Sequence, residues 1–364
     1  MKSNNLNFSG GPGALPASVL DEAREAVVSL PETGLSVLGM SHRSAWFLGI
    51  LDEAERNLRE LLGVPERYAI SFLQGGSSLL FATIPMNFAT SVFARPEYVN
   101  SGYWSSRASA EAKRVCNSRI AWDGKPGGFR ELPALHELAV SRNAAYLHYV
   151  SNETVEGLQF AVPETKPEVP FIVDMSSDFL SRPLTAGQFA MVYAHAQKNL
   201  GPAGVTVALI DREMLARIPA GLPHILDLRT QVEHRSNYNT PPVFSIYVLT
   251  LVTRWLRSEI GGLAAMQLIN EAKARRLYGT LDAMGGAVKV HAGRPWRSQM
   301  NVAFTFGDER LDRAFIASAS EHGIVGLEGH RSLGGLRASL YNAVTLSAVE
   351  TLCEALAEFG LRHG

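Results

Sequence analysis

An α/β protein, with one large domain on a mostly parallel seven-stranded sheet and a smaller α+β domain toward its C-terminal end, is the fold class this sequence predicts. Three observations point there. The chain has 364 residues, beyond the size at which single cores usually stop growing. Between residues 65 and 215, short apolar runs alternate with helix-length stretches, the pattern of a sheet covered by helices on both faces. Past about residue 243 that texture gives way to long amphipathic helices and scattered strand-like runs.

The strand candidates, in order, are "YAISFL" at 68–73, "EYVNSG" at 97–102, "RIAW" at 119–122, "AAYLHYV" at 144–150, "PFIVDM" at 170–175, "MVYAHA" at 191–196 and "VTVALI" at 205–210. Each is a short apolar run bounded by Gly, Pro, Asp or Asn, as strands of a buried sheet are. "SSLLFATIPMNFAT" at 77–90 and "SSRASAEAKRVC" at 105–116 are helix-length spacers between them. The run at 244–261 predicts a long helix, and 262–284 another with apolar positions at three-to-four spacing. A strand at 301–306, a helix at 309–323, a strand at 336–341 and a last helix at 345–360 follow. The large domain is therefore expected over 17–256, and the small one over 257–364 together with the N-terminal segment 1–16.

Composition narrows the function classes. Lys+Arg 34 against Asp+Glu 35 gives a formal net charge of −1, which leaves no electrostatic footprint for nucleic acid or an anionic membrane. The N-terminus lacks the apolar core of a signal peptide, and no window approaches the roughly 18 uninterrupted apolar residues of a membrane span. The two cysteines, Cys116 and Cys353, sit in helix-like segments without metal-ligand spacing. A soluble, cytoplasmic protein without a metal site is expected.

Ligands of open α/β sheets bind at the carboxyl ends of the strands, so the residues just past each strand candidate carry the chemistry. "QGGSS" places Gly75 and Gly76 before Ser77 and Ser78 at a helix start, offering backbone N–H groups and hydroxyls to an anion; Gly-Gly at that place also occurs as a plain tight turn. Asp174 ends "PFIVD", where it can cap the next element or present a carboxylate to the crevice. Lys198 in "AHAQKN" follows the next strand candidate, so acid and amine can reach the same crevice. A lysine for an aldehyde, a carboxylate for a pyridine nitrogen and an anion nest for a phosphate are together what pyridoxal phosphate requires. The amine, with an ordinary pKa of roughly 10.4, must then be depressed by its site to act near neutral pH. His42-Arg43-Ser44 and His330-Arg331-Ser332 repeat one tripeptide, and with Arg337 they supply cationic donors suited to carboxylates and phosphates.

With these residues in hand, the chain resembles the phosphoserine aminotransferases of the class-V, fold-type I, pyridoxal-phosphate-dependent aminotransferases. The resemblance runs nearly end to end, through "NFSGGPGALP", "SHRS", "NAAYLHYVSNETVEG", "AQKNLGPAG", "NTPPVFSIYV", "RSQMNVAF", "GHRSLGGLRASLYNA" and the terminal "RHG". It implies transamination between glutamate and 3-phosphohydroxypyruvate, and also amination of 3-hydroxy-2-oxo-4-phosphonooxybutanoate, by a ping-pong scheme. Lys198 would carry pyridoxal 5′-phosphate as an internal aldimine, Asp174 would pair with the ring nitrogen, Trp104 would stack on the ring and Thr154 would bond its phenolic oxygen. Ser77, Ser78 and Gln197 would hold the phosphate, with Asn239 and Thr240 reaching in from the other subunit of a homodimer. Arg337 would take the substrate α-carboxylate, and His42, Arg43, His330 and Arg331 the distal anion. In many family members the phosphate loop reads as three glycines, a larger residue and another glycine, whereas here it is "GGSSLL".

Two other readings share the fold. A serine–glyoxylate type transaminase or a cysteine desulfurase would use the same lysine, but a desulfurase needs a thiol on a mobile glycine-rich loop, and neither Cys116 nor Cys353 lies in one. A catalytically silent binding protein is the alternative of another class, since fold does not fix function. Against it stands the joint presence of Lys198, Asp174, Arg43 and Arg337. Trp104, taken alone, also reads as an ordinary core aromatic.

Overall fold

The structure, a computed structural model, describes residues 4–89, 94–164 and 167–363. Met1 to Ser3 of the N-terminal segment, Thr90 at the end of an expected helix, and Gly364 of the terminal Arg-His-Gly lie outside the described residues.

Two helices that the periodicity reading leaves out, α1 (Ala17–Val28) and α2 (Ala45–Leu62), precede the first strand. Ser44 of the first His-Arg-Ser segment caps α2, its hydroxyl accepting from Phe47 N at 3.2 Å. Then follow β1 (Tyr68–Gln74), α3 (Ser77–Phe88), β2 (Glu97–Asn100), α4 (Tyr103–Val115), β3 (Arg119–Asp123) and β4 (Leu147–Val150). A two-residue hairpin, β5 (Asn152–Glu153) with β6 (Leu158–Gln159), comes directly after β4 and is also unanticipated. The chain continues through β7 (Phe171–Asp174), β8 (Met191–His195), β9 (Val205–Asp211), α5 (Arg212–Leu215), α6 (Leu228–Glu233), α7 (Val243–Ser258) and α8 (Leu263–Ala283). It ends with β10 (Lys289–Val290), β11 (Asn301–Thr305), α9 (Glu309–Glu321), β12 (Leu336–Ser339) and α10 (Leu346–His363).

All seven expected strands of the large sheet form, in the order β1-β9-β8-β7-β4-β2-β3. β9 pairs antiparallel with both β1 and β8, while β8, β7, β4, β2 and β3 pair parallel in turn. β9 alone is therefore reversed, and β1 points the same way as β8. As a consequence, the carboxyl ends of β1, β2, β4, β7 and β8 open on one edge, the edge at which such sheets bind ligands.

Alternation along the strands divides the core by face. Phe171 and Val173 of β7, with Val192 and Ala194 of β8, pack in a cluster that includes α1, α2 and α7 residues. Ile172, Met191 and Tyr193 face the other way, onto α3 and α4. A third cluster gathers β11, β12 and α8 to α10, together with Phe8 and Ala14 from the N-terminal segment. Within it, Lys273 of α8 is fully buried and its Nζ donates to the carbonyls of Leu340, Tyr341 and Val344 at 2.9–3.0 Å. Three donors thus meet three carbonyls of the chain between β12 and α10. Replacing Lys273 with Met should strand those buried acceptors and destabilise the protein by about 3 kcal/mol; urea denaturation measures it, and a loss under about 1 kcal/mol would show that the carbonyls find other donors.

Candidate functional site

Lys198 is three residues beyond β8 and only 8% exposed. Burial drives its amine down to about 8, with Arg337 pushing the same way and Asp174 opposing. Asp174, the last residue of the adjacent β7, is buried too, and burial raises its carboxyl above the ordinary value against the pull of Lys198 and Ser176. Ser176 donates to Asp174 Oδ1 through both its N–H, at 2.8 Å, and its hydroxyl, at 2.5 Å. Oδ2 is then the oxygen left to meet a cationic ring nitrogen. Acid and amine sit in one pocket because β7 and β8 are neighbours running in the same direction.

The indole of Trp104 closes one side, its ring centroid 5.4 Å from Lys198 Nζ. Its Nε1 donates to Thr154 Oγ1 at 2.8 Å, and Arg337 Nη1 reaches the Thr154 carbonyl at 3.4 Å. Trp104 is half-buried rather than a sealed core residue. What fixes it is a pair of buried carboxylates for which the sequence reading assigns no role. Glu153 accepts from the N–H groups of Trp104 at 3.0 Å and Ser105 at 2.9 Å, and Glu156 accepts from that of Tyr103 at 2.9 Å. These are the unpaired donors of the first turn of α4, which must find acceptors outside the helix. The approach is close enough to require glycine at position 102, where a Cβ would lie 2.5 Å from Glu156 Oε2. Burial first, then Glu153, pushes the Glu156 carboxyl up to about 9. The signal available in the sequence was "NETVEG", two carboxylates in an otherwise apolar stretch at a strand end.

Gln197 and Lys198 also meet the N-terminal Gly-Gly-Pro-Gly segment. Gly13 N donates to the Gln197 carbonyl at 2.8 Å, and Gly10 lies so near the Arg337 guanidinium that a Cβ would stand 2.2 Å from its Nη2. Ser77 and Ser78 open α3, but the Ser77 hydroxyl is bonded to that of Ser176 at 2.7 Å, while Ser78 is exposed. Asn239 and Thr240 are adjacent to the same loop in their own chain, Asn239 Nδ2 donating to Gln74 Oε1 at 2.6 Å and Gln74 Nε2 to the Thr240 carbonyl.

The two His-Arg-Ser segments separate. His330 packs on Tyr103, ring centroids 4.5 Å apart, and Arg331 lies close enough to help hold the Tyr103 phenol below its ordinary pKa, so this segment is placed beside the start of α4. Burial, then Arg337 and Arg331, holds the His330 imidazole below its ordinary pKa. His42 instead lies against Asn237, whose Nδ2 donates to the His42 carbonyl at 3.0 Å, while Arg43 N donates to Ser41 Oγ at 3.2 Å within its own segment.

The pocket fits pyridoxal phosphate by its own chemistry. Gln197 Oε1 and Arg337 Nε are buried without a hydrogen-bond partner within the chain, so both are open to a polar ligand at this place. The α3 N-terminus offers the backbone N–H groups of its first turn to a phosphate. Among the described residues there is no group of His, Cys, Asp and Glu able to hold a metal ion.

The amine of Lys198 gains its free-base form as pH rises through about 8, instead of through the roughly 10.4 of an ordinary lysine. In the cofactor-free protein, trinitrobenzenesulfonate should therefore modify Lys198 with a midpoint near pH 8. Asp174→Asn, which removes the charge that raises this pKa, should shift the midpoint lower. Peptide mapping across pH measures both, and a midpoint near 10 contradicts the assignment.

Comparison with known proteins agrees with this geometry. The aminotransferase class-V family model matches residues 5–352. The phosphoserine aminotransferase of Pseudomonas putida is 45% identical over 100% of each chain, and that of Geobacillus kaustophilus 46% identical over 98% of each. Among solved structures, phosphoserine aminotransferase from Bacillus circulans subsp. alkalophilus aligns with a TM-score of 0.95 at 44% identity, over 99% of each chain. A pyridoxal-phosphate-bound phosphoserine aminotransferase from Trichomonas vaginalis gives 0.90 at 37%, over 97% of this chain and 99% of that one. The chain belongs to the class-V aminotransferases and, within them, to the phosphoserine aminotransferase family.

Proposed function

We propose that this aminotransferase passes the amino group reversibly between glutamate and 3-phosphohydroxypyruvate, giving 2-oxoglutarate and O-phosphoserine, in two half-reactions at one pyridoxal-phosphate site. The observation that carries the reading is the buried, depressed amine of Lys198 between Asp174 and Trp104, in a chain similar to phosphoserine aminotransferases over its full length. Pyridoxal phosphate, when bound, supplies an aldehyde for amines and a ring that accepts the electron pair left by the departing α-proton.

The chain's residues do the rest. Lys198 Nζ holds the cofactor, and as a free amine takes the α-proton from the substrate and later returns one. Asp174 keeps a proton on the ring nitrogen, its Oδ1 fixed by Ser176. Trp104 covers the ring, Thr154 bonds the phenolic oxygen, and Gln197, Ser77 and Ser78 with the α3 N-terminus hold the phosphate; Ser77 acts from its bond to Ser176. Arg337 binds the α-carboxylate common to both amino acids. His330, Arg331, His42 and Arg43 meet the distal group, a phosphate in one substrate and a carboxylate in the other. A clamp of several cationic donors accepts both, and the phosphate of 3-hydroxy-2-oxo-4-phosphonooxybutanoate as well.

The enzyme is read as a cytoplasmic homodimer, with a large unit over 17–256 and a small one over 257–364 plus the N-terminal segment; among the described residues no helix is long and apolar enough to cross a membrane. Asn239 and Thr240 serve the neighbouring site. His42, whose carbonyl accepts from Asn237, and Arg43 are assigned to that site with them.

Coupled assay with glutamate and 3-phosphohydroxypyruvate tests the activity, and no turnover with this pair would sink it. Lys198→Ala should lose at least about 10³-fold in kcat, and Arg337→Ala about 30- to 1000-fold in kcat/KM for both amino acids, the scale of a buried carboxylate left without its partner. Shared sites predict complementation: mixing and reassociating inactive Lys198→Ala with impaired Arg43→Ala subunits should raise activity toward about a quarter of wild type, from hybrid dimers carrying one intact site. Absence of any recovery would place Arg43 in its own subunit's site.

A further inference from the structure

Tyr103 stands between two parts of the site and has no task in the scheme above. Its backbone is held by Glu156, in the turn whose next two N–H groups are held by Glu153. Its ring meets the Trp104 indole edge-on, with centroids 5.1 Å apart and planes at 88°. The same ring carries the His330 ring at 4.5 Å, tilted by 56°. Its phenol oxygen accepts from Arg107 Nη1 at 3.4 Å, and Arg107 and Arg331 together hold the phenol pKa below its ordinary value.

The segment that rests on this ring is of the opposite character. Arg331, Ser332, Leu333 and Gly334 are exposed, and Gly334 and Gly335 adopt left-handed φ of 74° and 66°. Its hydrogen bonds are largely internal: His330 Nδ1 pairs with Ser332 Oγ at 2.7 Å, and Leu333 N and Gly334 N both donate to the His330 carbonyl. An exposed, glycine-rich, cationic turn of this kind has many conformations open to it, and ordering it on substrate binding costs entropy. A rigid aromatic surface beneath His330 removes part of that cost before substrate arrives.

We infer that Tyr103 is a positioning residue for the distal-anion clamp: its ring, fixed by the carboxylate-capped first turn of α4, orients His330 and Arg331 toward the phosphate or γ-carboxylate of the substrate. The inference rests on the reading of His330 and Arg331 as that clamp. It also means that one helical turn sets both the indole over the cofactor and the clamp over the substrate's far end.

Steady-state kinetics of the holoenzyme with O-phosphoserine and with glutamate, beside Kd for pyridoxal phosphate titrated into the cofactor-free protein, test it. Tyr103→Ala should raise KM for both amino acids about five- to tenfold, the scale of one aromatic pair, while kcat stays within about threefold and the cofactor Kd is unchanged. Tyr103→Phe, which keeps the ring, should return KM to within about twofold of wild type. Arg331→Ala is the control. If Arg331→Ala raises KM and Tyr103→Ala does not, the inference fails alone; if Arg331→Ala leaves KM flat, the clamp reading fails and takes the inference with it. A weakened cofactor Kd in Tyr103→Ala would reduce the residue to a structural part of α4, and a Phe variant as impaired as the Ala variant would overturn the assignment to the ring.

Discussion

Burying an ammonium and a carboxylate at the ends of two adjacent strands creates opposed demands, and the site is organised by how they are met. Desolvation pushes the Lys198 amine down and the Asp174 carboxyl up, while each charge favours the ionised form of the other. An amine near 8 is the outcome that matters, because it is a nucleophile and base without being stripped of its partner. Arg337 contributes to the same depression, so the group read as the carboxylate anchor also tunes the lysine.

The surrounding scaffold keeps that balance in place with polar contacts rather than with apolar packing alone. Asn152 bonds Ser177 at 2.7 Å and Asn301 at 2.8 Å; Asn301 bonds Ser339 at 2.9 Å, and the Tyr341 hydroxyl donates to the Gly10 carbonyl at 2.7 Å. This buried chain joins the carboxyl edge of the large sheet to β11, β12 and the N-terminal segment. Every member has defined donors and acceptors, so small displacements lose several bonds together. Glu153 and Glu156 do the corresponding work at α4, where two buried carboxyl groups replace the Ser, Thr or Asp that a helix start ordinarily uses.

Much of the large sheet was legible because strand periodicity and the Gly, Pro and Asp boundaries are local signals; all seven runs form strands, with β2, β4, β7 and β8 shorter than the runs and β1, β3 and β9 one residue longer. Lys198 and Asp174 stood out for the same reason, as polar residues just past apolar runs. α1 and α2 escaped that reading, as did the β5–β6 hairpin, which is only two residues per strand. Glu153, Glu156, Tyr103 and Ser176 were not singled out either. Their roles arise from contacts such as Trp104 N to Glu153, 49 residues apart in the chain, and no local pattern encodes these.

The sequence by itself determined which residue types follow which strands, and therefore that an amine, a carboxylate and a glycine-serine turn would gather at one edge of an α/β sheet. Only the tertiary structure decided how they face each other. Strand order sets β7 beside β8 and β4 beside β2, which brings Asp174 to Lys198 and the Glu153-Thr154-Val155-Glu156 turn to the start of α4. It also divided the two identical tripeptides, setting His330 onto Tyr103 and His42 onto Asn237. Identical local sequence carries no record of its neighbours, and burial, charge and hydrogen bonding at each place follow from packing across the fold.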